Sequence, residues 1–247
     1  MVCDEKGILR EFVVKLFTER QMKQQHPIAK EMFGNVLARE FDLPVPEAGL
    51  VHFSDDFISL LPSEAKKQLD GKGSGFKFGC EWRAMSIVDP TNLTSILHDY
   101  DLATVFDFDN FVFNLDRGGY RNKPNLLIDD EGFLLIDHEQ IFPFADDLGN
   151  GNSKIIQDLQ EGIWHYPAEK HLFYPNLYKM RKNVKGDIFD TFWSYLQGLT
   201  VVALREMAHF LAAKNISIGN FALVEQYVQK VKLNPDKFCN LLTKKII

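Results

Sequence analysis

Residues 114–138 read NLDRGGYRNKPNLLIDDEGFLLIDH, and this stretch is the most informative part of the chain. It predicts a loop that contains Asp116 and then a short apolar strand that begins after Asn125. A tight turn at 129–132 follows, and a second apolar strand ends at Asp137. Because the two strands pair, Asn125 and Asp137 are expected at the same end of one hairpin.

These three polar side chains are the types that phosphoryl transfer requires. A loop carboxylate such as Asp116 can accept the proton of an acceptor hydroxyl. The amide of Asn125 and the carboxylate of Asp137 can hold the Mg²⁺ that bridges nucleotide phosphates, since Mg²⁺ needs few protein oxygens. Asn122 competes with Asn125 for the amide role, because it is closer in sequence to Asp116. Asp116 taken alone also fits a solvated loop residue that pairs with a nearby arginine.

A second pair of candidates lies upstream, in a predicted strand from Ile8 to Phe17 and the helix after it. Lys15 follows the apolar run Phe-Val-Val, and a strand lysine can reach nucleotide phosphates if a helix glutamate fixes it. Glu31 lies in the next predicted helix and is the natural partner. Each residue alone is more often exposed and without a role. Together with the downstream residues, they favour a functional ion pair.

The rest of the pattern predicts strands and one helix first and helices later, which is typical of an α+β fold. The predicted elements are a helix from Ile28 to Phe41, strands at Gly49–Phe53 and Phe76–Trp82, a helix from Thr91 to Leu115 and a long helix from Ile188 to Lys214. Two more helices are expected after the long one. Glu81 and Trp82 end the third strand, where their backbone could bond an adenine ring, although a buried structural tryptophan fits Trp82 equally well.

The composition of the chain indicates which partners and which compartment to expect. The chain has 247 residues, 45% of them apolar, and a net charge of -6, so neither nucleic acid nor a membrane is the expected partner. Its three cysteines form no CxxC pair, which favours a reducing compartment, the cytoplasm, over a disulfide framework. No segment has the apolar length of a membrane span.

Several motifs together resemble the HipA-like kinase family, in its shorter single-chain branch. They are Phe12–Lys15, the Glu31 helix that leads to Leu43–Pro46, Phe78–Trp82, Asn114–Arg117, Pro124–Leu127 and Leu135–His138. A weaker likeness runs to the phosphatidylinositol 3- and 4-kinases, which share the Asp-Arg loop and the Ile-Asp strand end.

The resemblance implies a protein-kinase-like fold of two lobes, with a reduced N-terminal lobe over residues 1–82 and a mostly helical C-terminal lobe over 83–247. It implies ATP and Mg²⁺ as cofactors and a serine or threonine hydroxyl, most simply on a protein, as acceptor. By motif match, Asp116 would be the catalytic base, and Asn125 and Asp137 would hold the metal. Lys15 would contact the phosphates, Glu31 would orient Lys15, and the adenine-binding hinge would fall near Glu81 and Trp82.

Two departures from the pattern of ordinary kinases matter, and the first bears on activity. Only fourteen residues precede Lys15, which leaves room for one strand at best, so the glycine-rich phosphate lid is expected to be missing or to come from a partner chain. His138 and Glu139 stand where ordinary protein kinases have Phe-Gly. The alternatives are therefore a pseudokinase or nucleotide-binding interaction module, and a kinase of a lipid or small molecule.

Overall fold

The structure is a computed structural model that describes residues 1–89, 97, 99–118, 123–147, 154–180 and 188–247. The strands are Val2–Cys3 (β1), Leu9–Arg10 (β2), Phe12–Lys15 (β3), Ala48–Phe53 (β4), Gly75–Glu81 (β5), Ser86–Ile87 (β6), Leu126–Ile128 (β7) and Phe133–Leu135 (β8). The helices are Glu19–Gln25 (α1), Pro27–Glu40 (α2), Asp55–Leu60 (α3), Ser63–Gln68 (α4), Asp99–Val112 (α5), Lys154–Glu161 (α6), Tyr174–Lys179 (α7), Asp190–Gly198 (α8), Val202–Ala213 (α9), Phe221–Lys232 (α10) and Pro235–Ile246 (α11). This mixture confirms the predicted α+β class.

An antiparallel sheet of order β3-β5-β4 positions the lysine of the candidate site. Lys15 on β3 and Leu50 on β4 both pair with Phe78 of β5, so the three side chains share one face of the sheet. Phe78 is buried in the hydrophobic core, and helix α2 packs against β4 and β5. Lys15 therefore points to the side of the sheet that α2 covers.

Helix α2 forms where the sequence predicts it. Pro27 occupies its first turn, where the missing N–H costs no hydrogen bond, and Ile28, Phe33 and Leu37 are buried on its inner side. The helix ends at Glu40, ahead of the two prolines of the segment 43–46, which cannot continue it. The ring of Phe41, which follows, stacks on Phe192 with centroids 5.0 Å apart.

The predicted hairpin is the β7-β8 pair, and β6 joins it as a third strand. The turn at 129–132 is closed by Asp129, whose side-chain oxygen accepts from the N–H groups of Glu131 and Gly132. At the other end, the Ile136 N–H donates to the carbonyl of Asn125 at 3.2 Å. Asn125 and Asp137 thus sit at the same end of the hairpin, beyond the last paired residues.

Helix α5 is the centre of the helical part of the chain. Phe106, Phe108 and Phe111 on this helix are completely buried, and α7 and α8 pack against it. The prediction of a helix from Thr91 to Leu115 is confirmed for Asp99–Val112, whereas residues 90–96 and 98 lie outside the described part. Among the described helices, none has the length and apolar character that crossing a bilayer requires.

The predicted strand from Ile8 to Phe17 is wrong in detail, because the chain is extended in two short pieces. Glu11 interrupts the pairing, and its carbonyl accepts from the Trp82 N–H at 2.9 Å. The expectation of room for only one strand before Lys15 is also wrong. β1 and β2 form an antiparallel hairpin whose turn contains Gly7 at φ +80°, a conformation that glycine adopts readily.

The single long helix predicted from Ile188 to Lys214 is wrong as well. The chain forms α8 and α9, separated by an extended residue, Leu199, at φ −51° and ψ 128°. Leu199 is buried, and the turn that follows lets α9 pack against α2. Burial of apolar side chains on both helices therefore favours two packed helices over the one continuous helix that the sequence pattern predicts. The two further predicted helices are confirmed as α10 and α11.

Candidate active site

Lys15 is the centre of the candidate site. Its Nζ contacts the carboxylates of both Glu31 and Asp137, and the Oε2 of Glu139 lies 3.4 Å away. One carboxylate oxygen from each of the three acids lies within 4.8 Å of the others. Two of these acids were sequence candidates, and the structure brings both to Lys15 across 16 and 122 positions of the chain.

The electrostatics of this cluster follow from burial and from opposed charges. Burial raises the pKa of Glu31 to about 7 against the opposing effect of Lys15. Burial alone would lower the pKa of Lys15, but the Glu31 and Asp137 carboxylates raise it above its usual range. The pKa of Asp137 is lowered, because Lys15 outweighs the effect of burial. Lys15 is thus charged at neutral pH and can exchange a carboxylate for another anion.

Asp116 and Asn125 form the second half of the site. The Asn125 Nδ2 donates to the backbone oxygen of Asp116 at 3.2 Å and to its carboxylate at 3.3 Å. The Nζ of Lys123 lies 3.6 Å from the same carboxylate, and its positive charge also helps to lower the pKa of Asp137. Lys123 therefore lies beside the Asp116 carboxylate and also acts on that of Asp137. Asn122, the competing amide, lies outside the described residues.

A buried ionic network holds the loop that carries Asp116. The Arg117 side chain is fully buried, and its guanidinium binds the Asp109 carboxylate and the backbone carbonyl of Asn125. His171 binds the same carboxylate at 2.9 Å. Burial opposes ionisation of Asp109, yet the Arg117 charge and the His171 hydrogen bond lower its pKa to about 2. Arg117 thus fixes both Asp116, its neighbour in the chain, and Asn125.

Both hairpin-end residues have an unusual backbone conformation. Asn125 has φ +46° and Asp137 has φ +67°, in the left-handed region that few residues other than glycine adopt. Asn and Asp are the side chains that tolerate this region best. Such conformations are frequent at functional sites, where the surrounding structure holds them.

An open cavity of about 260 Å³ lies beside Lys15, between the β3-β5-β4 sheet and the β7-β8 hairpin. Its lining residues are Val13, Lys15, Glu31, Asn35, Pro46, Phe78, Cys80, Glu81, Trp82, Arg83, Met85, Leu127, Leu135, Ile136, Asp137 and His138. Most of the wall is apolar. Lys15, Glu31 and Asp137 gather at one end, and the ion-paired side chains of Glu81 and Arg83 also line the cavity. An apolar cleft with a few charged groups at one end suits a flat aromatic ring attached to an anionic tail.

The sequence candidates Glu81 and Trp82 both line this cavity, but their N–H groups already have acceptors. Glu81 donates to the carbonyl of Glu47 at 2.8 Å, and Trp82 donates to that of Glu11 at 2.9 Å. The N–H groups of Arg83 and Ala84, the next along the chain, have no acceptor within the described residues. Arg83 also lines the cavity, so its N–H group, rather than those of Glu81 and Trp82, is the candidate hydrogen-bond donor to a ligand there.

A model of the HipA-like kinase family matches residues 7–184, well over half of the chain. The chain belongs to the HipA-like kinase family. This membership confirms the resemblance that the sequence motifs suggest, and it indicates a phosphotransferase in general terms. Neither the curated proteins nor the solved structures provide a match.

The matched segment of the HipA-like kinase contains every candidate residue named above. The donor set also fits a hard divalent cation, because Asn125, Asp137 and Glu139 offer only amide and carboxylate oxygens. In the described part of the chain, no donor hydrogen-bonds to the side-chain oxygen of Asn125.

Sequence reasoning assigned no specific role to four residues of this site. Glu139 and Lys123 adjoin predicted residues, and their charges beside Asp137 and Asn125 were a usable signal. Asp109 is an acid within the fully buried stretch of α5, which indicates a polar network, since buried acids are rare without partners. His171 carries no local signal, because its pairing with Asp109 spans 62 positions.

Proposed function

We propose that this chain transfers the γ-phosphoryl group of ATP, with Mg²⁺, to the hydroxyl of a serine or threonine in a protein. One observation carries the proposal. Lys15, held by Glu31 and Asp137, closes the charged end of an apolar cavity, and the Asp116–Asn125 pair lies at the adjoining end of the hairpin.

The adenine ring would lie in the apolar part of the cavity, between Val13 and Leu135. The N–H group of Arg83, which has no acceptor among the described residues, would bond its edge. The triphosphate would then extend toward Lys15, whose positive charge is stabilised by three carboxylates.

In the transfer step, the acceptor oxygen bonds to the γ-phosphorus while the bond to the β,γ-bridging oxygen breaks. The acceptor proton passes to Asp116, and ADP leaves. Asn125 and Asp137 would hold Mg²⁺, with Glu139 beside them. When bound, the ion neutralises the charge on the phosphate oxygens. Lys15 would keep Glu31 as partner and exchange Asp137 for a phosphate.

The proposal includes two lobes, residues 1–82 and 83–247, with the cavity between them. Two features support this division. β3, β4 and β5 lie before residue 82, while β6, just after it, pairs with β7 rather than with β5. The proposed boundary would lie at Trp82 and Arg83, which line the cavity.

A second candidate function is a nucleotide-binding module that does not transfer phosphate. The hairpin of β1 and β2 lies where a kinase carries its lid, yet among the described residues none of this hairpin lines the cavity. A partner chain that covers the phosphates would restore transfer, and without one the chain would only bind.

Incorporation of labelled γ-phosphate from Mg-ATP tests both candidates. The chain itself and a generic protein serve as acceptors, with Asp116→Asn and Asp137→Asn as variants. Asp130→Asn is the matched control, because Asp130 is an exposed acid of the same hairpin. We expect label in wild type and control, and a loss of about 100-fold or more in Asp116→Asn, as for removal of a general base.

Thermal unfolding with and without Mg-ATP separates the negative outcomes. Ligand at 100 times its dissociation constant stabilises a fold by about 2.7 kcal/mol. Stabilisation without transfer would favour the binding module, and the absence of both would contradict each candidate. Label in a lipid or small molecule, but in no protein, would correct the acceptor.

A further inference from the structure

Helix α2 contacts the chain segment after Asp137 through residues spaced four apart. His26 at its N-terminal cap lies 3.4 Å from the Asp147 carboxylate, measured from Nε2. Lys30, one turn on, binds Asp146. Gly34, another turn on, lies directly against His138. Residues four apart share one face of a helix, so this face of α2 follows the segment 138–147 along its length.

The pair of Lys30 and Asp146 is the charged contact of this face. The Lys30 Nζ lies 2.5 Å from the Asp146 Oδ1, and the Lys30 side chain is 6% exposed. Burial lowers the pKa of Lys30 and raises that of Asp146, while each partner's charge opposes the shift of the other. A buried lysine is costly without a counter-charge, so Asp146 fixes where the Lys30 side chain can lie.

The segment that carries Asp146 is itself attached to the helical part of the chain. The Phe142 N–H donates to the carbonyl of Val112, the last residue of α5, at 2.8 Å. The Ala145 carbonyl accepts from the Asn220 N–H, at the start of α10, at 3.1 Å. Asp146 is therefore a fixed point, and Lys30 connects α2 to it.

Glu31 is the next residue of α2 after Lys30. One of its carboxylate oxygens binds Lys15, and the other accepts from the His138 N–H at 3.0 Å. A rotation or shift of α2 that breaks Lys30 from Asp146 would therefore also move Glu31 relative to Lys15 and His138.

We propose that Lys30 and Asp146 are positioning residues, which hold α2 so that Glu31 stays on Lys15 before any nucleotide binds. Neither residue lines the cavity, so both act through Glu31. The effect on nucleotide affinity rests on the proposed function, whereas the effect on Glu31 itself does not.

The test is a double-mutant cycle between Lys30→Met and Glu31→Gln, read as the dissociation constant for Mg-ATP. We expect Lys30→Met alone to weaken binding about 5-fold or more, the lower end of typical coupling between sites. In the Glu31→Gln background the same change should have less than about a twofold effect, because residues that act through one another are not additive. Additive effects would overturn the proposal.

A matched control separates positioning from general loss of a buried lysine. Lys77 is equally buried, and its Nζ binds the backbone carbonyl of Lys72 at 2.7 Å. Lys77→Met should leave nucleotide affinity within twofold of wild type, because Lys77 is not among the residues that line the cavity and its ammonium group binds the backbone carbonyls of Lys72 and Ser74. A loss equal to that of Lys30→Met would overturn the proposal. Asp146→Asn, which is a smaller change, should act in the same direction as Lys30→Met.

Hydrogen exchange at the His138 amide provides a measurement without nucleotide. That amide donates to Glu31, so its exchange should accelerate in Lys30→Met and Asp146→Asn but not in Lys77→Met. Accelerated exchange in a chain that binds no nucleotide would support the positioning pair and contradict the proposed function. Unchanged exchange in both variants would overturn the positioning pair.

Discussion

Replacement of Gly34 by alanine tests how closely α2 must approach His138. A Cβ at position 34 would lie 2.4 Å from the His138 Cβ and 2.5 Å from its Cγ, where ordinary contacts begin at 3.4 Å. The obstructing atoms are at the root of the His138 side chain, so a rotamer change cannot remove the clash. The helix and the strand end must separate by about 1 Å, the difference between these distances.

The size of the effect follows from two opposing contributions. Extra atoms in a filled interior cost about 1 to 3 kcal/mol, while alanine stabilises a helix by up to about 1 kcal/mol relative to glycine. His138 can move little, because its N–H is bonded to Glu31 and its ring meets Phe108 edge-on. We therefore expect Gly34→Ala to lower the free energy of unfolding by about 1 to 2 kcal/mol and to weaken nucleotide binding.

The assay is urea unfolding of wild type, Gly34→Ala and Gly198→Ala, followed by measurement of nucleotide affinity. Gly198 is the matched control, since it also lies in a helix and no atom is within 4 Å of an added Cβ. The control should be neutral or stabilised by up to about 1 kcal/mol, with unchanged nucleotide affinity. If Gly34→Ala behaves like the control in both measurements, the close approach of α2 to His138 is refuted.

Three further predictions concern charges around the site. If the Lys123 charge beside Asp116 contacts the terminal phosphate, Lys123→Met should weaken binding of a non-hydrolysable ATP analogue about tenfold or more and leave ADP affinity unchanged. Calorimetry measures both affinities, and an equal loss for the two nucleotides would contradict this contact. Asp109→Asn should lower the free energy of unfolding in urea by about 3 to 5 kcal/mol, because it leaves Arg117 buried without its counter-charge. A loss below about 1 kcal/mol would contradict the role of Asp109 as that counter-charge. Burial lowers the pKa of His138 from 6.5 to about 3, so its contribution to stability is complete above pH 6.5 and is lost as pH falls toward 3. Between pH 6.5 and 4.5 the loss of unfolding free energy should be roughly 2 kcal/mol. Chemical unfolding at several pH values should therefore show a weaker dependence of the unfolding free energy on pH in His138→Leu than in wild type. An equal dependence in both proteins would count against a buried neutral His138.

The sequence was most informative where the candidate residues lie within a clear local strand or helix pattern. The period-two pattern around the 129–132 turn fixed the hairpin register, and that register brings Asn125 and Asp137 to one end. Lys15 at a strand end and Glu31 in the next predicted helix indicated their pairing only together with the downstream residues Asp116, Asn125 and Asp137. The resemblance to kinases supplied the role of each residue.

Other features depend on packing between distant parts of the chain. Nothing near Asp109 indicates that Arg117 and His171 will bind it, and nothing near Lys30 indicates Asp146. The break after Gly198 arises because α9 packs against α2, which a helical period cannot show. One missed element did have a local signal, since Thr18 and Gln21 form the capping box that begins α1.

The residue types at positions 125 and 137 have two physical explanations, and the structure separates them. Both positions have positive φ, so backbone conformation alone favours Asn or Asp there. A purely conformational role, however, would leave the two side chains free of the rest of the site. Instead the Asn125 amide binds the Asp116 carboxylate, and the Asp137 carboxylate binds Lys15. Because each side chain contacts a different half of the site, the hairpin end positions polar groups in both halves, and the positive φ at each position serves that placement.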